Sequence, residues 1–166
     1  MLITTLTPTL TVRINELLAA PATVDWNGDG SVDDGDEWIE LYNPGPAVDL
    51  SGWLLGPITG KGYEFPSGTQ LASGGFLVLY RSETGLPLAN FGGRLRLRRP
   101  NGTVVSAVTY GPLGPDRAFS RDARGRWRAD WPPSPGAANA PAPLATAEGA
   151  LAVPTRIWPP AWWPRR

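Results

Sequence analysis

Residues 37–42 read EWIELY, and this stretch decides the fold class. In an extended chain successive side chains point to opposite faces, so Trp38, Glu40 and Tyr42 share one face and the intervening residues share the other. The turn residues 43–45 (NPG) follow directly. A short alternating run that ends in turn residues predicts a β-strand.

Similar runs lie on both sides of this strand. Residues 76–80 (FLVLY) are the most apolar run, which predicts the most central strand. Residues 95–98 and 103–110 flank the turn sequence RPNG at 99–102, which predicts a hairpin. Four more strands are predicted at 11–18, 50–55, 118–121 and 127–129. Helical periodicity is nearly absent, so the sequence predicts an all-β sandwich or barrel.

The length of 166 residues suits one domain with a tail. After Trp131 the composition shifts to Pro and Ala. We expect an N-terminal lead at 1–11, a β-sandwich at 12–140 and a flexible tail at 141–166. The first residues lack the pattern of a signal peptide, and no run of 18 apolar residues predicts a transmembrane helix.

Three Trp residues lie among prolines in residues 157–166 (IWPPAWWPRR). Proline excludes a helix there. We favour an extended tail whose Trp side chains partly contact the domain. The alternative is a docking motif for a partner or for a membrane interface, where Trp is enriched.

The chain contains no His and no Cys. Their absence excludes a Ser-His-Asp triad, a Cys-His pair, iron–sulfur clusters, disulfides and His-ligated zinc, copper or iron. Ser, Thr and Lys61 could act as nucleophiles, but no base is visible to activate them. Without His and Cys, any metal in the chain would be bound by oxygen.

The formal net charge of zero conceals two oppositely charged halves. Residues 1–60 contain nine acidic residues and one basic residue, a net charge of −8. Residues 61–166 contain six acidic and fourteen basic residues, a net charge of +8. Five acidic residues lie within residues 25–36, and such a cluster needs either a cation or full solvation because like charges repel.

Residues 25–36 (DWNGDGSVDDGD) have the spacing of an EF-hand-type calcium loop. Side-chain oxygens occur at positions 1, 3, 5, 9 and 12, a glycine at position 6, and a residue offering its carbonyl at position 7. The predicted ligands are Asp25, Asn27, Asp29, Ser31 through its carbonyl, Asp33 and Asp36. Ca²⁺ is favoured over Mg²⁺, which retains its waters, and we expect a structural role for the ion.

The loop resembles the calcium loops of dockerin modules, which run D-x-N-x-D-G and end in Asp. A dockerin carries two such loops between helices, whereas this single loop lies between predicted strands, so the resemblance implies only the ion. Asp36 reaches less far than the Glu that usually closes the site, and Glu37 is an alternative closing ligand. The other interpretation is a solvated acidic turn without an ion.

Three segments together resemble the opening of a bacterial lamin tail domain: residues 12–20 (VRINELLAA), 36–44 (DEWIELYNP) and 48–55 (VDLSGWLL). Further matching segments lie at 65–69, 71–80, 95–110 and 133–139. The resemblance covers about residues 12–140 and implies an immunoglobulin-like β-sandwich with the acidic loop inserted between its first two strands.

The same resemblance implies a non-catalytic accessory or interaction module. Bacterial domains of this type look like parts of secreted or cell-surface proteins, so we expect an extracellular or cell-surface location. The expected partner is a protein or a surface polymer, and the expected state is a monomer. Calcium would be plentiful enough outside the cell to occupy a modest site.

Two further groups of residues leave alternatives open. Glu16 and Glu40 could form a paired-carboxylate site of the glycosidase type. We favour a structural role, in which Glu40 accepts hydrogen bonds from a neighbouring loop and Asn43 sets a turn. Trp53 is interpreted as a core residue rather than a platform for a sugar.

Arginines alternate with other residues in two segments, which could form basic stripes that bind nucleic acid or another polyanion. A solvated sheet face explains the pattern equally well. The residues concerned are Arg94, Arg96, Arg98, Arg124, Arg126 and Arg128.

Overall fold

The computed structural model of the chain describes residues 11–143. Eleven strands lie within this range: β1 Arg13–Leu18, β2 Trp38–Tyr42, β3 Val48–Asp49, β4 Leu54–Pro57, β5 Tyr63–Glu64, β6 Gln70–Leu71, β7 Phe76–Tyr80, β8 Gly93–Arg98, β9 Val104–Tyr110, β10 Ala118–Arg121 and β11 Trp127–Arg128. One four-residue helix, α1 Arg81–Thr84, and one 3₁₀ turn, Asp34–Asp36, complete the regular structure of this range.

The strands form two main antiparallel sheets. A five-stranded sheet has the order β11-β10-β1-β2-β7, and a four-stranded sheet has the order β5-β4-β8-β9. Strands β3 and β6 form a separate pair. One hydrophobic cluster includes Ile14 and Ile39 from the first sheet with Leu55 and Leu97 from the second. The two sheets therefore enclose a single core, as in a β-sandwich.

The five-stranded sheet is buried on both faces near β1 and β2. Ile39 and Leu41 lie in the core, yet Trp38 and Glu40 on the opposite face are buried as well. The outer face is covered by the loop between β1 and β2 and by residues 132–139, which we call the strap. Because the outer face is covered by the loop and by the strap, the Glu40 carboxylate is shielded from water.

The structure confirms most predicted strands. The strand at 76–80, the strand at 118–121 and the hairpin formed by β8 and β9 are all present. The near absence of helix is also confirmed for residues 11–143.

Two strand predictions are wrong. The run at 76–80 forms an edge strand, β7, instead of a central one, and most of its residues are only half-buried. Residues 50–53 form a turn, in which the Trp53 amide donates to the Leu50 carbonyl at 2.9 Å. Gly52, with a φ of 69°, allows this turn, so β4 begins only at Leu54.

The predicted lead at 1–11 lies outside the described residues apart from Thr11, and the predicted tail at 141–166, including the Trp-rich end, lies outside them from residue 144 onward. Within residues 11–143, no helix has the length and apolar character needed to cross a membrane.

Candidate functional site

The acidic loop connects β1 to β2 and is attached to the domain by Asp116. The Asp116 carboxylate accepts hydrogen bonds from the Ala22 and Thr23 amides at 3.0 and 2.9 Å, and from the Trp26 indole at 3.3 Å. Burial opposes ionisation of Asp116, but these bonds and one from the Thr23 hydroxyl lower its pKa. The Trp26 ring also packs edge-on against the buried Trp38, with centroids 6.2 Å apart.

Asp25 and Asp36 organise the backbone of the loop. The Asp25 carboxylate accepts from the Gly28, Asp29 and Gly30 amides at 2.7, 3.2 and 2.8 Å. The fully buried Asp36 carboxylate accepts from three other amides, those of Trp26, Asn27 and Asp33, at 2.7 to 3.0 Å. Hydrogen bonds from charged acceptors to backbone amides are strong, so both residues fix the path of the chain.

The other predicted ligands lie at the surface of the same loop. Asp29, Ser31 and Asp33 are exposed, and Asn27 is half-buried. Asp29 accepts from the Ser31 amide at 2.9 Å, and Asp33 caps the 3₁₀ turn by accepting from the Gly35 amide at 2.6 Å. Within the part of the chain that the structure describes, no three acidic side chains form a group that could hold a metal ion.

The residue types of the loop suit Ca²⁺. Every predicted ligand offers oxygen, which is the donor that this ion prefers. Gly30 has the positive φ, 92°, that a glycine at position 6 supplies. The Asp36 carboxylate, however, already accepts three amide hydrogen bonds, so ion binding would require it to share lone pairs. The metal assignment therefore stays a prediction.

Glu37, the alternative closing ligand, is engaged elsewhere. Its carboxylate accepts from the Arg81 guanidinium at 2.9 Å and from the Leu88 amide at 2.6 Å. Arg81 also contacts Asp34 at 3.1 Å. Burial raises the pKa of Glu37, although the bonds from Leu88 and Arg81 oppose this shift. Glu37 thus connects the end of the loop to α1 and to the segment after it.

Glu16 and Glu40 form a second acidic site, on the outer face of the five-stranded sheet. The two residues are direct neighbours in the register of β1 and β2, and both are fully buried. Glu16 accepts from the Ser120 hydroxyl at 2.7 Å and from the Ser134 amide and hydroxyl at 3.1 to 3.3 Å. Glu40 accepts from the Asn15 amide group at 2.8 Å and from the Gly136 amide at 2.6 Å.

Burial raises the pKa of both carboxyl groups, those of Glu16 and Glu40. Desolvation raises the pKa of Glu40 to about 7, and the neighbouring charge of Glu16 adds to the shift. Desolvation likewise raises the pKa of Glu16, against the hydrogen bonds from Ser120 and Ser134. The pair therefore shares a site in which simultaneous ionisation is unfavourable.

The structural interpretation of Glu40 and Asn43 is confirmed. Glu40 accepts a hydrogen bond from the strap, and the strap covers the carboxyl pair. Asn43 donates to the Pro46, Leu71 and Ala72 carbonyls at 2.7 to 3.1 Å and accepts from the Gly45 amide, so it sets the turn after β2. Trp53 is a core residue, as expected.

The two arginine segments that could form basic stripes belong to different sheets. Arg94, Arg96 and Arg98 lie on β8 of the four-stranded sheet, alternating with the buried Leu95 and Leu97. In the second group, Arg126 is paired with Asp122 at 2.8 Å and Arg128 with Asp130 at 2.6 Å. Only the β8 group therefore presents three arginines that form no ion pair with any residue in 11–143.

A family model described as the lamin tail domain matches residues 6–112. The chain belongs to the lamin tail domain family. This lamin tail domain continues past the matched residues, since β10 pairs with β1 and Asn139 of the strap donates to the Asn15 carbonyl at 3.1 Å. A search of the curated proteins gave no match.

Sequence reasoning missed three connections at this site: the attachment of the loop by Asp116, the ion pair between Glu37 and Arg81, and the cover of Glu16 by Ser134. Each joins residues that are 44 or more positions apart. A residue pattern within one segment cannot reveal such contacts, because they depend on how the sheets are assembled.

Proposed function

We propose that this lamin tail domain is a non-catalytic interaction module of a secreted or cell-surface protein, and that Ca²⁺ bound in the acidic loop stabilises it. Membership in the family supports the interaction role, because the immunoglobulin-like fold of lamin tail domains is a non-catalytic type. The partner is a protein or a surface polymer.

The observation that carries the calcium proposal is the organisation of the loop around Asp25. The Asp25 carboxylate accepts hydrogen bonds from three consecutive backbone amides, those of Gly28, Asp29 and Gly30. The loop backbone therefore turns around Asp25, the first residue of the predicted calcium loop. The exposed Asp29 and Asp33 form no ion pair with any residue in 11–143. Bound Ca²⁺ would offset the mutual repulsion of these carboxylates.

Calorimetric titration of the metal-stripped protein with Ca²⁺ tests the proposal. We expect one site per chain, and we expect Asp29→Asn to weaken binding at least tenfold because it removes one charged ligand. Glu64→Gln, the matched removal of an exposed carboxylate on β5, should leave binding unchanged. If Asp29→Asn binds Ca²⁺ as the parent does, the ligand assignment is wrong.

A second proposal is binding of nucleic acid or another polyanion through β8. The supporting observation is that Arg94, Arg96 and Arg98 alternate with buried leucines and form no ion pair among the described residues. Retention on immobilised DNA should then fall steeply with salt, since neutralised phosphates release counterions. Replacing all three arginines with Gln should abolish retention, and retention that survives this change would contradict the proposal.

A further inference from the structure

A cavity of about 290 Å³ lies beside the five-stranded sheet, between the strands and the end of the strap. The residues that line it include Arg13, Arg121, Tyr42, Phe76, Asn15 and Asn139. We call it the arginine cavity. Its volume is close to the lower end of the range for small-molecule sites.

The strand register places the aromatic and charged sides of the cavity next to each other. Arg13 on β1 lies opposite Tyr42 on β2, and Tyr42 lies opposite Phe76 on β7. The Tyr42 and Phe76 rings are 4.7 Å apart, and the Arg13 guanidinium lies 5.1 Å from the centre of the Tyr42 ring. A cation and two aromatic rings therefore form one continuous surface across three strands.

Arg121 supplies a second cation. Its guanidinium lies 5.2 Å from the centre of the Trp127 ring, which in turn stacks on Phe119 at 4.9 Å. Burial lowers the pKa of Arg121, and the nearby positive charge of Arg13 adds to this shift. Both arginines line the same cavity, so their like charges repel each other there.

No acidic residue within 11–143 neutralises this pair. Arg81, Arg126 and Arg128 each form an ion pair with Asp or Glu, whereas Arg13 and Arg121 form none among the described residues. The Nε atoms of Arg13 and Arg121 are also buried without a hydrogen-bond partner. Adjacent like charges are costly, and an anion bound between the two arginines would offset their repulsion.

We propose that the arginine cavity binds a small phosphate monoester carried on a planar ring. Two guanidinium groups match the nearly doubly negative charge of a phosphate monoester at neutral pH better than the single charge of a carboxylate. The Tyr42 and Phe76 rings offer an apolar surface for the planar part of the ligand. The amides of Asn15 and Asn139 line the same cavity but already bond to Glu40 and to backbone carbonyls, so they shape it.

Calorimetric titration in the presence of EDTA tests this site independently of the calcium loop. Phenyl phosphate should saturate a single site. Benzoate should bind at least tenfold more weakly because it carries one charge, and inorganic phosphate at least tenfold more weakly because it lacks a ring. Tighter binding of adenosine monophosphate than of phenyl phosphate identifies the source as a nucleotide, and the reverse identifies a phenolic phosphate.

Substitutions of Arg13 and Arg121 test whether these two residues bind the phosphate group. Arg13→Gln and Arg121→Gln should each weaken phenyl phosphate binding at least tenfold, and Arg121→Lys should weaken it less because it keeps the charge but loses the planar fork. Arg124→Gln removes an equal charge from an exposed position three residues beyond β10 and should change affinity less than twofold. Thermal melts confirm that each variant is folded.

Two results would overturn the proposal. One is the absence of saturable binding of either ring-bearing phosphate to the folded parent protein. The other is a loss of affinity in Arg124→Gln equal to that in Arg121→Gln, which would show attraction by overall charge alone. Because EDTA is present throughout, a failure of the calcium proposal leaves this test unaffected.

Discussion

The free energy of unfolding of this lamin tail domain should fall by about 3 kcal/mol between pH 4.5 and pH 7 through Glu40 alone. The pKa of Glu40 is raised to about 7 in the folded protein, mainly by burial, from an ordinary value of 4.5. The folded state therefore binds a proton that the unfolded state releases at lower pH. The stabilisation is complete below pH 4.5 and is lost as the pH rises through 7.

Denaturant unfolding at several pH values from 5 to 8 measures this effect. Glu40→Gln should reduce the slope, because the amide stays neutral at every pH, and the slope that remains includes that of Glu16, whose pKa is also raised by burial. Glu64→Gln, which changes an exposed carboxylate on β5, should retain the slope of the parent. A parent protein whose stability is constant or rises from pH 5 to 8 would contradict the assignment of a buried, protonated Glu40.

Asn139→Ala should lower the free energy of unfolding by about 2–4 kcal/mol. The Asn139 amide donates to the Asn15 and Arg121 carbonyls at 3.1 and 2.9 Å, and its oxygen accepts from the Ser134 hydroxyl at 2.9 Å. Loss of these bonds releases the end of the strap. Water should then reach Glu16 and Glu40, so the variant should also show a smaller pH dependence between 5 and 8.

The matched control is Asn90→Ala, which truncates an exposed asparagine of the loop before β8. Its stability should stay within about 0.5 kcal/mol of the parent. If Asn139→Ala unfolds at the same denaturant concentration as Asn90→Ala, the strap does not contribute to the stability of the domain. If the pH dependence of stability is unchanged in Asn139→Ala, the strap does not keep water away from Glu16 and Glu40.

The local pattern of the sequence predicts the strands well because alternation is a local property. The last five residues of EWIELY form β2 with Ile39 and Leu41 in the core, and the RPNG turn joins β8 to β9. The same alternation cannot show that Trp38 and Glu40 are buried too, since their cover comes from the loop before β2 and from the strap.

Strand order is less accessible from sequence. The apolar run at β7 indicates burial on both faces, which favours a central position. In the structure β7 is an edge strand, and only Leu79 of its five residues is buried. The arginine cavity was missed for a related reason, because Arg13 and Arg121 meet only after β1, β2 and β10 have paired.

The most direct test of the central claim is a thermal melt of the metal-stripped protein titrated with Ca²⁺ and, separately, with Mg²⁺. A ligand at 100 times its Kd stabilises the folded state by about 2.7 kcal/mol, which raises the midpoint by several degrees in a domain of this size. We predict that rise with Ca²⁺, little change with Mg²⁺, and at most about half of that rise in Asp29→Asn, because a tenfold weaker site is then only at 10 times its Kd. A midpoint that responds to neither ion would contradict the account and leave residues 25–36 as an acidic loop fixed by its own hydrogen bonds.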